Sequence, residues 1–205
     1  MLYTARVPIG QSALLVIDAQ DSFKLAPRWA RRDNHDFEKN VAALVDAYRA
    51  AGLPILYFLH TDPDPGFALG DPALVLMDFL APRAAEPVLV KHTRNCFTGT
   101  NLAERLLELG VRRIVVTGIQ MEQCCETTAR VAADLGYAVD FVTEATLTFP
   151  IVDRDDPSRE LPVEAIRERT EFVLEGRFAR LATVAGLERE LGELESGRRA
   201  QSSAA

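Results

Sequence analysis

Five short, largely apolar runs, separated by segments of helical spacing, restrict this chain more than anything else in its sequence. They are ALLVIDA (13–19), PILYFLH (54–60), VLV (88–90), IVVT (114–117) and YAVDFV (137–142). A strand that is apolar at nearly every residue, and not at every second one, belongs where both faces of a sheet are covered. Between the runs, apolar side chains recur at the period of a helix. Phe37, Val41, Leu44, Val45 and Tyr48 precede Gly52, and a segment at 101–110 is capped by Thr100 or Asn101 and stopped by Gly110. Ala129, Val131, Ala132, Ala133 and Leu135 precede Gly136 in the same way. Alternation of this kind implies parallel strands joined by right-handed crossovers.

The expected fold class is therefore α/β: a three-layer α/β/α, Rossmann-like single domain with a mostly parallel sheet of about six strands, the outermost lying in 179–184. At 205 residues and 48% hydrophobic content the chain buries one sizeable core. Residues 1–195 are read as that domain and 196–205 as a flexible tail. A Pro- and Gly-rich loop follows at 61–72, then a short apolar helix at 74–80. The charged stretch 147–163 reads as an exposed loop, and further helices are expected at 164–172 and 185–195. A formal net charge of -7 argues against nucleic acid as a partner. No apolar run reaches membrane-spanning length, and residues 1–12 lack the apolar core of a secretory signal. With 3 cysteines, two of them adjacent, no disulfide framework is available, so a reducing cytoplasm is the expected compartment. His35, His60 and His92 are scattered, so no metal is expected.

The ends of the strands carry the chemistry. Asp18 ends the first run, His60 the second and Lys91 the third. Gly118 breaks the fourth, and a polar turn, Gln120-Met121-Glu122-Gln123, leads to Cys124 and Cys125. In a parallel sheet these ends share the edge where α/β proteins place their ligands. Taken singly, each has an ordinary explanation: an Asp that caps a turn, a rim histidine, a snorkelling lysine, a cysteine filling a helix–sheet interface. Each also has a chemical one. A cysteine at a strand-to-helix turn faces unpaired N–H groups and a positive dipole, which favour thiolate and hold an oxyanion. Cysteine, an acid or base and a cation suffice for acyl transfer. Asp18 takes the thiol proton, and Lys91 orients Asp18. Gln20, Phe23, Arg28, Trp29, His60 and Phe97 are the candidate walls of a substrate pocket.

The segments LLVIDAQDSF, KHTRNCF and TGIQMEQCCETTAR, in that order, resemble the isochorismatase-like cysteine hydrolase superfamily over roughly 14–146. The resemblance implies a triad of Asp18, Lys91 and Cys124. Cys124, not Cys125, matches the nucleophile, because it leads the run Cys124…Thr128-Ala129-Arg130. The likeness also implies a non-proline cis peptide at Ile119–Gln120 and an oxyanion hole made by the backbone N–H groups of Gln120 and Cys124. Homodimers or homotetramers are usual among such proteins.

Departures from the pattern lie around the pocket: Met121-Glu122-Gln123, Asn95-Cys96-Phe97 and Asp21-Ser22-Phe23. The Asp/His metal cluster of the superfamily's nicotinamidases is not matched, since only His60 and Asp62 stand in that region. Retention of Cys124 implies C–N hydrolysis. The expected activity is a metal-independent, cofactor-free cysteine amidohydrolase acting on a small amide, ureido or N-carbamoyl compound through a thioester. An isochorismatase-type vinyl-ether hydrolase and a catalytically silent member are the alternatives. A dinucleotide-binding domain is excluded, because no G-x-G-x-x-G follows the first strand.

Overall fold

The structure, a computed structural model, describes residues 7–25 and 27–203. Residues 1–6, which open the expected domain, and 204–205, which end the expected tail, lie outside that range. The elements run β1 (Ser12–Ile17), α1 (Phe37–Ala50), β2 (Ile55–His60), β3 (Val88–Lys91), α2 (Leu102–Glu108), β4 (Arg113–Ile119), α3 (Glu126–Asp134) and β5 (Ala138–Leu147). A small hairpin, β6 (Ile151–Val152) and β7 (Glu160–Leu161), precedes α4 (Val163–Leu174), β8 (Arg180–Leu181) and α5 (Val184–Ser203). Six strands form one sheet in the order β3-β2-β1-β4-β5-β8, and every pairing within it is parallel.

Period-two alternation sends successive residues of a strand to opposite faces. Leu14 and Val16 pack with Val41, Leu44, Tyr48 and Leu187 of α1 and α5. Ala13, Leu15 and Ile17 pack with Leu102, Leu106, Ala129 and Ala132 of α2 and α3. The expected three layers are therefore present. The chain adds strands outward from β1 to β3, then returns to place β4 against β1. The ends of β1 and β4 consequently flank the point where strand order reverses, and α/β sheets open a crevice there.

Several sequence expectations give way. The fourth strand does not stop at Gly118 but runs to Ile119. Gly118 has φ 124, and a Cβ built on it would lie 1.9 Å from the Ile17 carbonyl oxygen. The glycine thus admits close approach of two backbones and does not break the strand. No helix forms at 74–80. Instead Leu76 bridges Gln20, Asp21 N donates to Val75 O at 3.0 Å, and Met77 N donates to Ala19 O at 2.9 Å. A short apolar run satisfies either conformation, and here the chain leaving β1 supplies the backbone partners. The third strand is an edge strand, with Val88 and Val90 at 41% and 46% exposure, and not the buried strand expected. The loop 147–163 folds part of itself into the β6–β7 hairpin. The last helix passes 195 and continues to Ser203, where Arg198 Nη1 donates to Ala51 O at 2.6 Å across to α1.

Candidate active site

Asp18 leaves β1 with φ 50, a left-handed turn that aspartate tolerates better than most residues. Its side chain is fully buried. Lys91 ends β3, two strands away, and its long arm crosses the end of β2 to reach it. Lys91 Nζ donates to Asp18 Oδ2 at 2.7 Å, to Cys124 Sγ at 3.4 Å and to Thr93 O at 3.2 Å. It also lies 3.4 Å from His60 Nδ1. Both charged side chains of the pair have 0% exposure. Burial alone lowers the pKa of Lys91, but the Asp18 carboxylate, with Cys124 and Cys96, outweighs it and the net direction is up. The ammonium is therefore charged at neutral pH. Asp18 Oδ1 is buried with no hydrogen-bond partner, and a carboxylate oxygen of Asp18 lies within 4.8 Å of Cys124 Sγ.

The cysteine is delivered by a π-helical turn, Met121–Cys125, that continues into α3. The Ile119–Gln120 peptide ahead of it is cis. Cys124 is 4% exposed, and burial pushes its thiol up to about 12, with the Asp18 charge adding to the rise and Lys91 opposing it. Burial thus opposes the preference for thiolate expected of a strand-to-helix turn, and it outweighs the Lys91 ammonium because the sulfur is almost wholly enclosed. Cys96 and Cys125 are fully buried, and burial raises both thiols as well.

His60 is buried beside this group. Arg94 Nη1 lies 2.6 Å from its Nε2, and Asp62 Oδ2 lies 3.4 Å from the same nitrogen. Burial, then Lys91 and Arg94, lower the His60 pKa below 6.5. Asp18, His60 and Cys124 are also the described residues whose ligand atoms, all within 4.8 Å of one another, are spaced for a metal ion. Lys91 Nζ touches an atom of each of the three. A cation entering there would have to displace an ammonium already paired with the carboxylate.

The depressed His60 pKa has a measurable consequence. The unfolded chain accepts a proton near pH 6.5 that the folded state resists, so this contribution to stability is complete above that pH and lost as pH falls through the lower folded value. In chemical denaturation, His60→Gln should flatten the fall in unfolding free energy as pH drops below about 6.5. An equally steep fall in the variant would show that His60 does not resist protonation.

Not every candidate wall faces the pocket. Gln20 is fully buried, and its amide is spent on β2: His60 N donates to Oε1 at 2.7 Å and Nε2 donates to His60 O at 3.0 Å. It fixes the end of the strand instead of meeting a ligand. Phe97 stacks on Tyr137 at 6.1 Å, packed on the α3 side of the sheet. Trp29 is half-buried against Phe149 at 6.3 Å, and Phe23 packs on Phe67 at 5.1 Å. A cleft of ≈ 490 Å³ is lined by Arg28, Arg31, Gln120, Gln123, Phe149 and Pro150, among others. Arg94 and Phe149 carry no sequence signal of their own; only the folded chain brings them to this edge.

A family model described as an isochorismatase domain matches residues 12–172. The secreted isochorismatase effector Isc1 of Verticillium dahliae is 34% identical over 149 residues, 71% of this chain and 75% of that protein. Nicotinamidase 3 of Arabidopsis thaliana is 31% identical over 153 residues, covering 67% of this chain and 74% of its own. A crystal structure described as a hydrolase of the isochorismatase family, from Chromobacterium violaceum, superposes with a TM-score of 0.84 at 29% identity, over 94% of this chain and all of that one. No helix among the described residues is long and apolar enough to cross a membrane.

Proposed function

The chain belongs to the isochorismatase family, and from that premise we propose that it is a metal-independent cysteine amidohydrolase. Its substrate is a small amide, ureido or N-carbamoyl compound, cleaved at the C–N bond through a thioester. The observation that carries this reading is the buried contact of one ammonium, Lys91, with both the Asp18 carboxylate and the Cys124 sulfur.

The thiol is protonated at rest, so its proton leaves only as the sulfur attacks. Asp18 accepts it while the S–C bond forms and the carbonyl oxygen becomes an oxyanion, which the N–H groups of Gln120 and Cys124 receive. Asp18 then returns the proton to the nitrogen as the C–N bond breaks and the amine departs. Water, deprotonated by Asp18, attacks the thioester, and the sulfur leaves with that proton. Lys91 holds the carboxylate in place and offsets the negative charge that shifts between Asp18 and Cys124. Burial serves this sequence: excluding water strengthens each of these charge interactions.

Acid-quenched turnover on a panel of small carboxamides, ureides and N-carbamoyl acids should leave the acyl mass of the substrate on the peptide bearing Cys124. Hydrolysis of a panel compound with no mass gained at Cys124 in a single turnover would remove the thioester.

A further inference from the structure

We propose that the side chains of Gln120 and Gln123 form a neutral recognition pair in the cleft, so that the substrate carries, beside the C–N bond that is cut, a second amide or ureido group. The inference rests on the hydrolase reading and narrows it.

Both glutamines belong to the turn that delivers the sulfur. Gln120 stands at its start and Gln123 directly precedes Cys124. Both are half-buried and line the cleft of ≈ 490 Å³. The backbone ties them together: Gln123 N and Cys125 N each donate to Gln120 O at 3.2 Å. Gln123 falls in Met121-Glu122-Gln123, one of the stretches that depart from the superfamily pattern.

A run of hydrogen bonds orders the side chains, and its direction is set at one end. Thr148 Oγ1 donates to Glu122 Oε2 at 2.6 Å, and Gln123 Nε2 donates to Glu122 Oε1 at 3.4 Å. A carboxylate only accepts, so the Gln123 amide turns its nitrogen, and not its oxygen, toward Glu122. The same nitrogen donates to Gln120 Oε1 at 2.9 Å, which commits the Gln120 oxygen as an acceptor. One group of each kind remains. Among the described residues, the donor Gln120 Nε2 and the acceptor Gln123 Oε1 have no partner.

A carboxamide or ureido group offers a C=O and an N–H together and answers both. A carboxylate only accepts, and an ammonium only donates. An alkyl group answers neither and strips water from both glutamine atoms. The cations of the same cleft are held by other groups. Arg31 pairs with Glu160 at 2.7 Å, and Arg28 lies over the rings of Phe23 and Phe149, 5.6 Å and 5.1 Å from their centroids.

The test compares diamides with alkyl amides of the same size and branching: malonamide with 3-methylbutanamide, and succinamide with 4-methylpentanamide. Single-turnover acylation of Cys124 is read by peptide mass mapping, and kcat/KM gives the preference for the diamide within each pair. The wild type should favour the diamide in at least one pair. That preference should fall about tenfold in Gln120→Met and in Gln123→Met, the upper end of what one hydrogen bond contributes. Methionine keeps the length of the side chain and removes the amide. A purely structural role would slow both members of a pair alike and leave the preference unmoved. Equal slowing of diamide and alkyl amide in either variant, or a wild type that favours neither diamide, would overturn the pair and leave the hydrolase reading intact. If none of these compounds, nor any amide of the wider panel, acylates Cys124, the hydrolase reading fails and the recognition pair falls with it.

Discussion

Cys124→Ala should lower amide turnover by on the order of 10^4-fold or more, because a covalent route loses its nucleophile and no other group takes its place. The variant should still fold. The sulfur is buried but small, and an alanine methyl leaves a minor void, worth about 1 kcal/mol or less. Cys125→Ala is the matched control. It removes an adjacent, fully buried sulfur and should retain most turnover, because Cys125 points into the packing between α3 and the sheet. Steady-state kinetics on whichever panel amide the wild type cleaves, with thermal melts of both variants, decides the matter. Amide turnover within tenfold of wild type in Cys124→Ala would end the thioester mechanism. Should that variant still open a vinyl ether while Asp18→Asn does not, the isochorismatase-type alternative takes over, since protonation of an ether needs the acid and not the sulfur.

Lys91→Met and Asp18→Asn should each abolish turnover and each destabilise the fold, by about 3–5 kcal/mol as each leaves a buried charge without its partner. Lys91 matters to folding as well as to turnover. Neither side chain of the pair has any exposure, so removing one leaves the other buried without its partner. The double variant Asp18→Asn/Lys91→Met carries the sharper expectation. It should regain much of the stability lost by either single change while remaining inactive, since desolvating two charges roughly cancels their attraction. Urea unfolding of all four proteins measures this directly. Additive losses in the double variant would mean that the two residues do not interact as the contact implies.

Legibility in the sequence followed burial. The runs that became β1, β2, β4 and β5 were readable because strands covered on both faces cannot alternate; Asp18 and the turn to Cys124 followed two of them, while Lys91 ended the edge strand β3. Asp18, Lys91 and Cys124 were therefore found as an edge before they were seen as a contact. Less was visible where tertiary partners decide. Residues 74–80 have no periodicity of their own and took their shape from the backbone of 19–21. Gln20 and Phe97 lay close in sequence to important residues, yet the first is used by the His60 backbone and the second by Tyr137. The direction of the Cys124 shift was also hidden. Dipole and neighbouring charge can be guessed from a strand–turn–helix pattern, but the amount of water excluded from a sulfur cannot.

The ammonium that ties the centre together is carried by β3, the outermost strand on its side of the sheet. That strand is four residues long, hydrogen-bonded to β2 alone, with two valines turned to solvent. Margins of this kind open transiently without the rest of the molecule unfolding. Each fraying of β3 would draw Lys91 away from Asp18 and leave a carboxylate and a thiol with no chemistry between them. Heat or denaturant should therefore silence this protein while most of its sheet is still intact, and whatever clamps that margin in the cell would protect activity as much as structure.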